Sequence, residues 1–279
     1  MALLRPFRES LGAIARNPVI LAMTGLLALV QVPQFAAQTL GPLVSAVVSI
    51  GFSLLYIVAI PYIQGGLFGM ADEALDGRTS LGRFHSAGKD HYVSLLVAYL
   101  LVFALSLVIG GGLFLVGFVG LFAVVGANLS TAATVAIGLV VALLLLVYVV
   151  AFAFVQFYGQ AIVLEDLGGI DGLRRSVGTV RSNLLSVFLY TVVVMVFSGG
   201  FGLVAGGASL VFSPQPTPGL PIPKASLPIM AAGALLLIVL TALFSAIFLV
   251  FSVAFYRDLR GGTVAANAGR DGDAGIPSL

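Results

Sequence analysis

The sequence predicts an all-α membrane protein: six transmembrane helices as three parallel-repeat helical hairpins, each preceded by a short interfacial amphipathic helix. Three observations predict it. Twelve of the thirteen Lys and Arg residues, and all eleven Asp and Glu residues, fall in four patches, 5 to 16, 72 to 90, 165 to 181 and 257 to 273, with Lys224 as the outlier. Six charge-free apolar runs lie between the patches, each long enough to cross a hydrocarbon core of about 30 Å, which takes about 20 residues. The connectors between the runs also echo one another at a fixed spacing of 92 residues. An ionised side chain at the bilayer centre costs about 2.5 to 3.5 kcal/mol even on the lenient insertion scale, so the charge-free runs face lipid and each other.

Residues 1–17 read as a cytoplasmic interfacial helix. Leu4, Phe7, Leu11 and Ile14 recur at helical spacing, while Arg5, Arg8 and Arg16 turn to headgroups. Asn17 followed by Pro18 marks a break before the first span. The same arginines ahead of the apolar stretch from Val19 to Val32 imitate a secretory leader. Cleavage after Ala36 or Ala37 would put Gln34 or Phe35 where a small residue is wanted, so a retained signal anchor is expected.

The transmembrane domain covers 18–260, with spans near 18–38, 42–69, 92–126, 131–163, 184–212 and 228–256. The turns 39–41, 127–130 and 213–227 carry one charge between them, Lys224, and every charged patch lies at the opposite ends. By the positive-inside rule, both termini and both long connectors face the cytoplasm of a multi-pass protein in the cell membrane. The third and fourth runs, at about 34 residues, would make about 50 Å of helix and must tilt, kink or protrude, with Gly110, Gly111 and Gly112 the expected kink.

Shifting the chain by 92 residues puts Gln64 on Gln156, Glu73 on Glu165, Leu75 on Leu167, Gly77 on Gly169, Leu81 on Leu173, Arg83 on Arg175 and Ser94 on Ser186. A second shift puts Leu167 on Leu259 and Gly169 on Gly261. Identities that keep register with the topology indicate three hairpins in the same orientation. In the second connector Ile170, Leu173, Val177, Val180 and Leu184 form an apolar face, with Arg174 and Arg181 on another. Leu81, Phe84 and Gly88 make a weaker copy in the first. Residues 213–228 hold half of the twelve prolines and read as an extended outer loop, and 261–279 as a disordered cytoplasmic tail.

Composition excludes several functions. With 60% hydrophobic and 9% charged residues, against roughly 25% charged in a soluble domain, a soluble core is excluded. A net charge of +2 without interleaved aromatics gives no nucleic-acid footprint, and the absence of cysteine removes disulfides, thiolate metal sites and cysteine nucleophiles. Glu73, Asp76, His85, Asp90 and His91 share no ligand spacing and read as a solvated mixed-charge helix. No span contains an acid or base for ion coupling, and no catalytic, cofactor or metal residue is assigned, so an enzyme is not expected.

The candidate contacts with lipid headgroups are Arg5, Arg8, Arg16, Arg83, Lys89, Arg174, Arg175 and Arg181. Gln31, Gln34, Gln38, Gln64, Gln156 and Gln160 form a candidate polar seam, with interhelical hydrogen bonding as the plainer reading. Gly202 and Gly206, with Gly199, Gly200 and Gly207, and again Gly117 and Gly120, read as sites of close helix packing.

The patches "ARNPVILAM", "EALDGRTSLGRF" and "VLEDLGGIDGLRRSVGTVRSNLLSV" resemble those of six-helix prokaryotic, archaeal-like integral membrane proteins. These are distantly similar to the membrane domain found beside glycerophosphodiester phosphodiesterases. The resemblance implies the fold; this chain carries no phosphodiesterase domain, so that activity is not implied. The function expected is a non-enzymatic protein that organises membranes by binding lipids, with anionic headgroups, membrane protein partners or further copies of itself as partners and no nucleic acid. The alternative is a passive permease or channel for a small neutral solute along the glutamines.

Overall fold

The computed structural model describes residues 3–30, 41–126, 130–212 and 226–273, with side chains for all of these except 208–212, 227, 230 and 262–273. The described residues form ten α-helices and no strand: α1 (Leu4–Arg16), α2 (Pro18–Leu29), α3 (Pro42–Asp76), α4 (Leu81–Asp90), α5 (Tyr92–Gly126), α6 (Thr131–Val155), α7 (Tyr158–Glu165), α8 (Gly169–Ser182), α9 (Leu184–Phe212) and α10 (Leu227–Asp273). Five helical segments are long and apolar enough to cross a membrane, or six if α1 and α2, bent by 89° at Asn17, form one broken span. These long apolar helices fit a membrane protein.

The chain divides into two compact units, Met1–Lys89 with Leu184–Leu279, and Asp90–Asn183. In the first, α10 is the axis against which α1, α2, α3 and α9 pack. Its buried residues concentrate where the apolar run meets the charged patch: Val250, Phe251, Val253, Phe255 and Tyr256 are all buried. Tyr190 of α9 stacks on Phe255 at 4.5 Å between ring centroids, and Phe7 of α1 meets Phe251 edge-on at 5.7 Å. Such pairs add about 0.5 to 1.5 kcal/mol beyond the area they bury. The Thr24 hydroxyl, buried on α2, donates to the Ala242 carbonyl at 3.0 Å, fixing α2 against α10.

In the second unit, α5 packs on α6, α7 and α8. Gly169 lets α8 touch the α5 backbone, since a Cβ there would lie 2.5 Å from the Ser94 carbonyl oxygen. Gly172 in turn receives Ile162 of α7.

The structure corrects several expected boundaries. The described part of the first span is only α2, and Gln31, Gln34 and Gln38 lie outside the described residues, as does most of the proline-rich loop. The second span extends as helix to Asp76. α5 runs through Gly110–Gly112 as a single helix of 35 residues. A break falls in the fourth run, between α6 and α7 at Gln156 and Phe157. There the Ser176 hydroxyl of α8 enters the ladder: it donates to the Phe154 carbonyl at 2.9 Å and accepts from the Phe157 N–H at 3.2 Å. A side chain inserted between helical turns is a recognised cause of such interruptions. The tail expected to be disordered from Gly261 continues α10 as helix to Asp273, in keeping with Ala265, Ala266 and Ala268, alanine being the strongest helix former; residues 274–279 lie outside the description.

Of the glycines expected at close helix packing, Gly120 is such a site, since a Cβ there would lie 2.6 Å from Ile137 Cγ2 of α6, while the others are not. A Cβ added at Gly117, Gly199, Gly200, Gly202, Gly206 or Gly207 would meet nothing within 4 Å, whereas Gly66, Gly69 and Gly88 bring α3 and α4 together. Gly88 packs on the Tyr62 backbone, where a Cβ would be 2.8 Å from its carbonyl oxygen.

Candidate functional site

The three short helices α1, α4 and α8 bury the same register of their surfaces. Ser10, Ala13 and Ile14 of α1 are buried, as are Phe84, Ala87 and Gly88 of α4 and Ser176, Thr179 and Val180 of α8. Each set has the spacing i, i+3, i+4, one helical stripe. Asn17 and Asn183 stand three residues beyond Ile14 and Val180. Each donates from Nδ2 to the carbonyl four residues back, at 2.9 Å to Ala13 and 3.0 Å to Thr179. Each also donates its backbone N–H to the carbonyl three back, Ile14 or Val180. An Asn that satisfies the last turn's carbonyls ends a helix before a change of direction.

The buried stripe overlaps only part of the apolar face that periodicity singles out: Ile14, Phe84, Gly88 and Val180 are buried, as read from the spacing. Leu4, Leu11, Ile170 and Leu184 are exposed, and Leu81 too, while small and polar residues such as Ser10, Ala13, Gly172 and Ser176 pack inward. The small residues win the interior because they admit another helix at close range. Of the bulky ones, Ile14, Phe84 and Val180 are buried with them, while Leu4, Leu11, Leu81 and Ile170 face outward.

At the charge-bearing end of the first unit, Asn17 joins three segments. Besides the bond to Ala13, its Nδ2 donates to the Gly77 carbonyl at 2.9 Å, and its Oδ1 accepts from the Thr79 N–H at 2.8 Å. With the side chain 2% exposed, this fixes the chain that leaves α3 against the corner between α1 and α2. Arg257 of α10 provides a second fastening to α3: Nη1 and Nη2 donate to the two carboxylate oxygens of Asp76 at 2.8 Å, and Nε donates to Asp72 Oδ1 at 2.7 Å. Its Nη2 also reaches the Asp72 carbonyl at 2.9 Å. The planar guanidinium suits such a forked arrangement, which lysine cannot copy.

Between α1, the last turn of α3 and residues 254–261 of α10 lies a cleft of about 980 Å³, bordered by Arg5, Arg8, Glu9, Arg16, Asp76, Arg257 and Asp258. Arg5 is engaged by Glu9 at 2.9 Å. Arg8 and Arg16 are exposed and form no ion pair among the described residues.

The other headgroup candidates are placed differently. Arg83 is half-buried, its Nε 3.6 Å from where a Gly69 Cβ would sit, and Lys89 is exposed. Arg174 faces Asp171 at 3.5 Å, and Arg175 donates to Glu165 Oε2 at 2.8 Å, so both already have carboxylate partners; Arg181 is exposed. The carboxylate partner of Arg175 lies on α7, and the Arg175 side chain remains 41% exposed.

Of the six glutamines of the expected seam, only Gln64, Gln156 and Gln160 are among the described residues. Gln64 belongs to the first unit and is half-buried, whereas Gln156 and the buried Gln160 belong to the second. Gln156 caps α6 and Gln160 lies in α7, so the shared face expected of one continuous helix is interrupted. Of the residues read as a mixed-charge helix, His85 Nδ1 lies 2.6 Å from the Tyr62 hydroxyl, and His91 Nε2 lies 3.4 Å from Asp166 Oδ1. Among the described residues, no group of three or more His, Asp or Glu is placed to hold a metal ion. The Asn17, Arg257 and Ser176 fastenings were missed by sequence reasoning; only the Asn17–Pro18 pair left a signal, as a helix break.

No curated protein and no solved structure matches the chain. A family model described as a domain of unknown function, DUF7847, matches residues 1–259. With a match that takes in every helix from α1 to α9 and most of α10, the chain belongs to the DUF7847 family.

Proposed function

We propose that the protein is a non-enzymatic integral membrane protein that holds anionic lipid at the cytoplasmic face of the cell membrane through three interfacial helices. One observation carries the reading: α1 and α8 bury one stripe, Ile14 and Val180 included, yet leave Leu4, Leu11 and Ile170 exposed on the same helices as the exposed Arg8, Arg16, Arg174 and Arg181. A helix so divided lies flat, with its apolar side chains about 5 to 10 Å into the headgroup and acyl boundary. Each Lys or Arg near an anionic surface contributes about 1 kcal/mol.

The common register of buried positions in α1, α4 and α8 supports three like-oriented hairpins, each introduced by one of these helices. Sidedness follows from the Lys and Arg excess at one set of helix ends, which puts the connectors and both termini in the cytoplasm. The similarity to the membrane domain beside glycerophosphodiester phosphodiesterases agrees with work at a phospholipid surface and brings no hydrolytic chemistry with it.

Nitroxide labels at Leu4, Leu11 and Ile170 of the full chain in anionic bilayers test the placement. Collision with oxygen should exceed collision with a water-soluble nickel complex at all three, and the reverse at these positions overturns it. Purified protein should also carry anionic phospholipid in excess of its share of the host membrane.

A further inference from the structure

We infer that the cleft between α1, α3 and α10 is a binding site for a single phosphate group, held by Arg8 and Arg16. The inference rests on the reading of α1 as a lipid-facing helix and deepens it from a basic surface to a discrete site.

Charge pairing in the cleft selects the two residues. Its arginines are four and its acids three. Arg5 is held by Glu9, and Arg257 by Asp72 and Asp76. What remains is Arg8 and Arg16 with Asp258: counting Asp72, the arginines and acids around the cleft are equal in number, but these two guanidinium groups form no ion pair among the described residues. On α8 the situation differs: Arg174 and Arg175 already face Asp171 and Glu165, and Arg181, exposed and without an ion pair among the described residues, does not border this cleft. Of the short helices, α1 is therefore the one with guanidinium groups open to a ligand inside a cleft.

Geometry points the same way. Arg8, Gly12 and Arg16 follow one another at i, i+4 and i+8, a single stripe of the helix in which the arginines stand about 12 Å apart along the axis. A Cβ on Gly12 would lie 3.4 Å from Arg16 Nη1, so the Arg16 guanidinium folds back over the space a side chain there would fill. Glycine leaves bare helix between two cations, and one of them already leans over it.

The ligand chemistry follows from the donors. Each guanidinium presents five N–H groups in a rigid fork, and a phosphate offers more acceptor oxygens than a carboxylate, enough to engage two forks at once. Leu4 and Ala254 border the same cleft, providing apolar surface beside the charge. That combination suits the phosphate of a lipid headgroup, and the same donors would take free phosphate; the shared chemistry is the phosphate oxygens.

The test uses the full-length protein, delipidated in neutral detergent, titrated with dioleoyl phosphatidylglycerol, with dioleoyl phosphatidylcholine, and separately with inorganic phosphate, and read by native mass spectrometry and calorimetry. One phosphatidylglycerol should bind per chain, and Arg8→Gln with Arg16→Gln should weaken it at least about tenfold, while Arg174→Gln with Arg181→Gln changes it less than about twofold. Gly12→Leu keeps both charges and fills the bare strip, and should weaken binding as much as the arginine pair; full retention overturns the geometry. Amide protection at Thr79 reports that each variant keeps the first unit folded.

Equal losses in the two arginine pairs overturn the cleft and leave the general surface reading intact; no loss in either overturns both. Arg8- and Arg16-dependent binding of inorganic phosphate without lipid binding upholds the site and assigns it a soluble ligand. Binding of neither ligand refutes the site.

Discussion

Replacing Asn17 with alanine should loosen the connector between α3 and α4 without unfolding the rest. The side chain makes two bonds to distant backbone, donating to the Gly77 carbonyl at 2.9 Å and accepting from the Thr79 N–H at 2.8 Å. Alanine leaves both groups unpaired beside a site that is 2% exposed. An orphaned buried polar group costs about 1 to 3 kcal/mol. Residues 77 and 79 are only half-buried, so water recovers part of this, and about 2 to 3 kcal/mol for the pair is the expected sum. That raises the local opening constant roughly 30- to 150-fold. Hydrogen exchange in detergent micelles measures it at the Thr79 amide itself, with Leu95 in the other unit, bonded to the His91 carbonyl, as internal reference. Thr79 exchange within about twofold of the unsubstituted protein would refute the claim that Asn17 holds the connector.

Ser176→Ala removes the acceptor of the Phe157 N–H and the donor to the Phe154 carbonyl, and should lower the stability of the second unit by about 1 to 2 kcal/mol in thermal unfolding; an unchanged midpoint would remove Ser176 as the cause of the α6–α7 break. Gly69→Ala drives a methyl group into Ala87 and should destabilise by about 1 to 3 kcal/mol, whereas Gly111→Ala, with nothing within 4 Å, should be neutral or stabilising by up to about 1 kcal/mol. Equal effects in the two would contradict the packing described for α3 and α4. In double-mutant cycles, Arg257 should couple more strongly to Asp72 than to Asp76, because the Asp72 side chain is 24% exposed and Asp76 73%, and solvent screens the latter. Arg257→Lys should lose most of both couplings, since a point charge cannot reproduce the fork.

The long apolar helices were legible because hydropathy and the expulsion of charge are one-dimensional signals. The helical stretches of α1 and α8 were legible from periodicity, and the corner at Asn17 from the Asn-Pro pair. Their packing faces were not. Periodicity marks where bulky apolar residues align, and next to a membrane those residues have a second apolar partner; Leu4 and Ile170 remain exposed while Ser10 and Gly172 go inside. The α6–α7 break was illegible for a related reason: its cause, Ser176, lies about 20 residues downstream, and nothing in the run itself resembles a stop. Glycines misled in the same direction. A Cβ at any glycine of the dense cluster from Gly199 to Gly207 would meet nothing within 4 Å, and Gly66, Gly69 and Gly88, with Gly120, are close contacts. Of the candidate site, the arginines were legible as a charged patch, but their division into engaged and open groups depends on carboxylates such as Asp76 and Glu165, whose pairing only the folded chain reveals.

The seat of α1 and α2 on α10 sets an order of events during biosynthesis. Thr24 reaches its partner carbonyl on Ala242 across 218 residues of chain. At a translation rate of about 5 to 20 residues per second, the amino-terminal segment emerges roughly 10 to 45 s before the helix it must dock on exists. Through that interval the corner at Asn17 can settle on the chain leaving α3, but the face that meets α10 has lipid, the insertion machinery or a neighbouring nascent chain for company. A protein built this way closes its first corner in two stages, and truncation ahead of Ala242 should leave the α10-facing side of α2 uncovered.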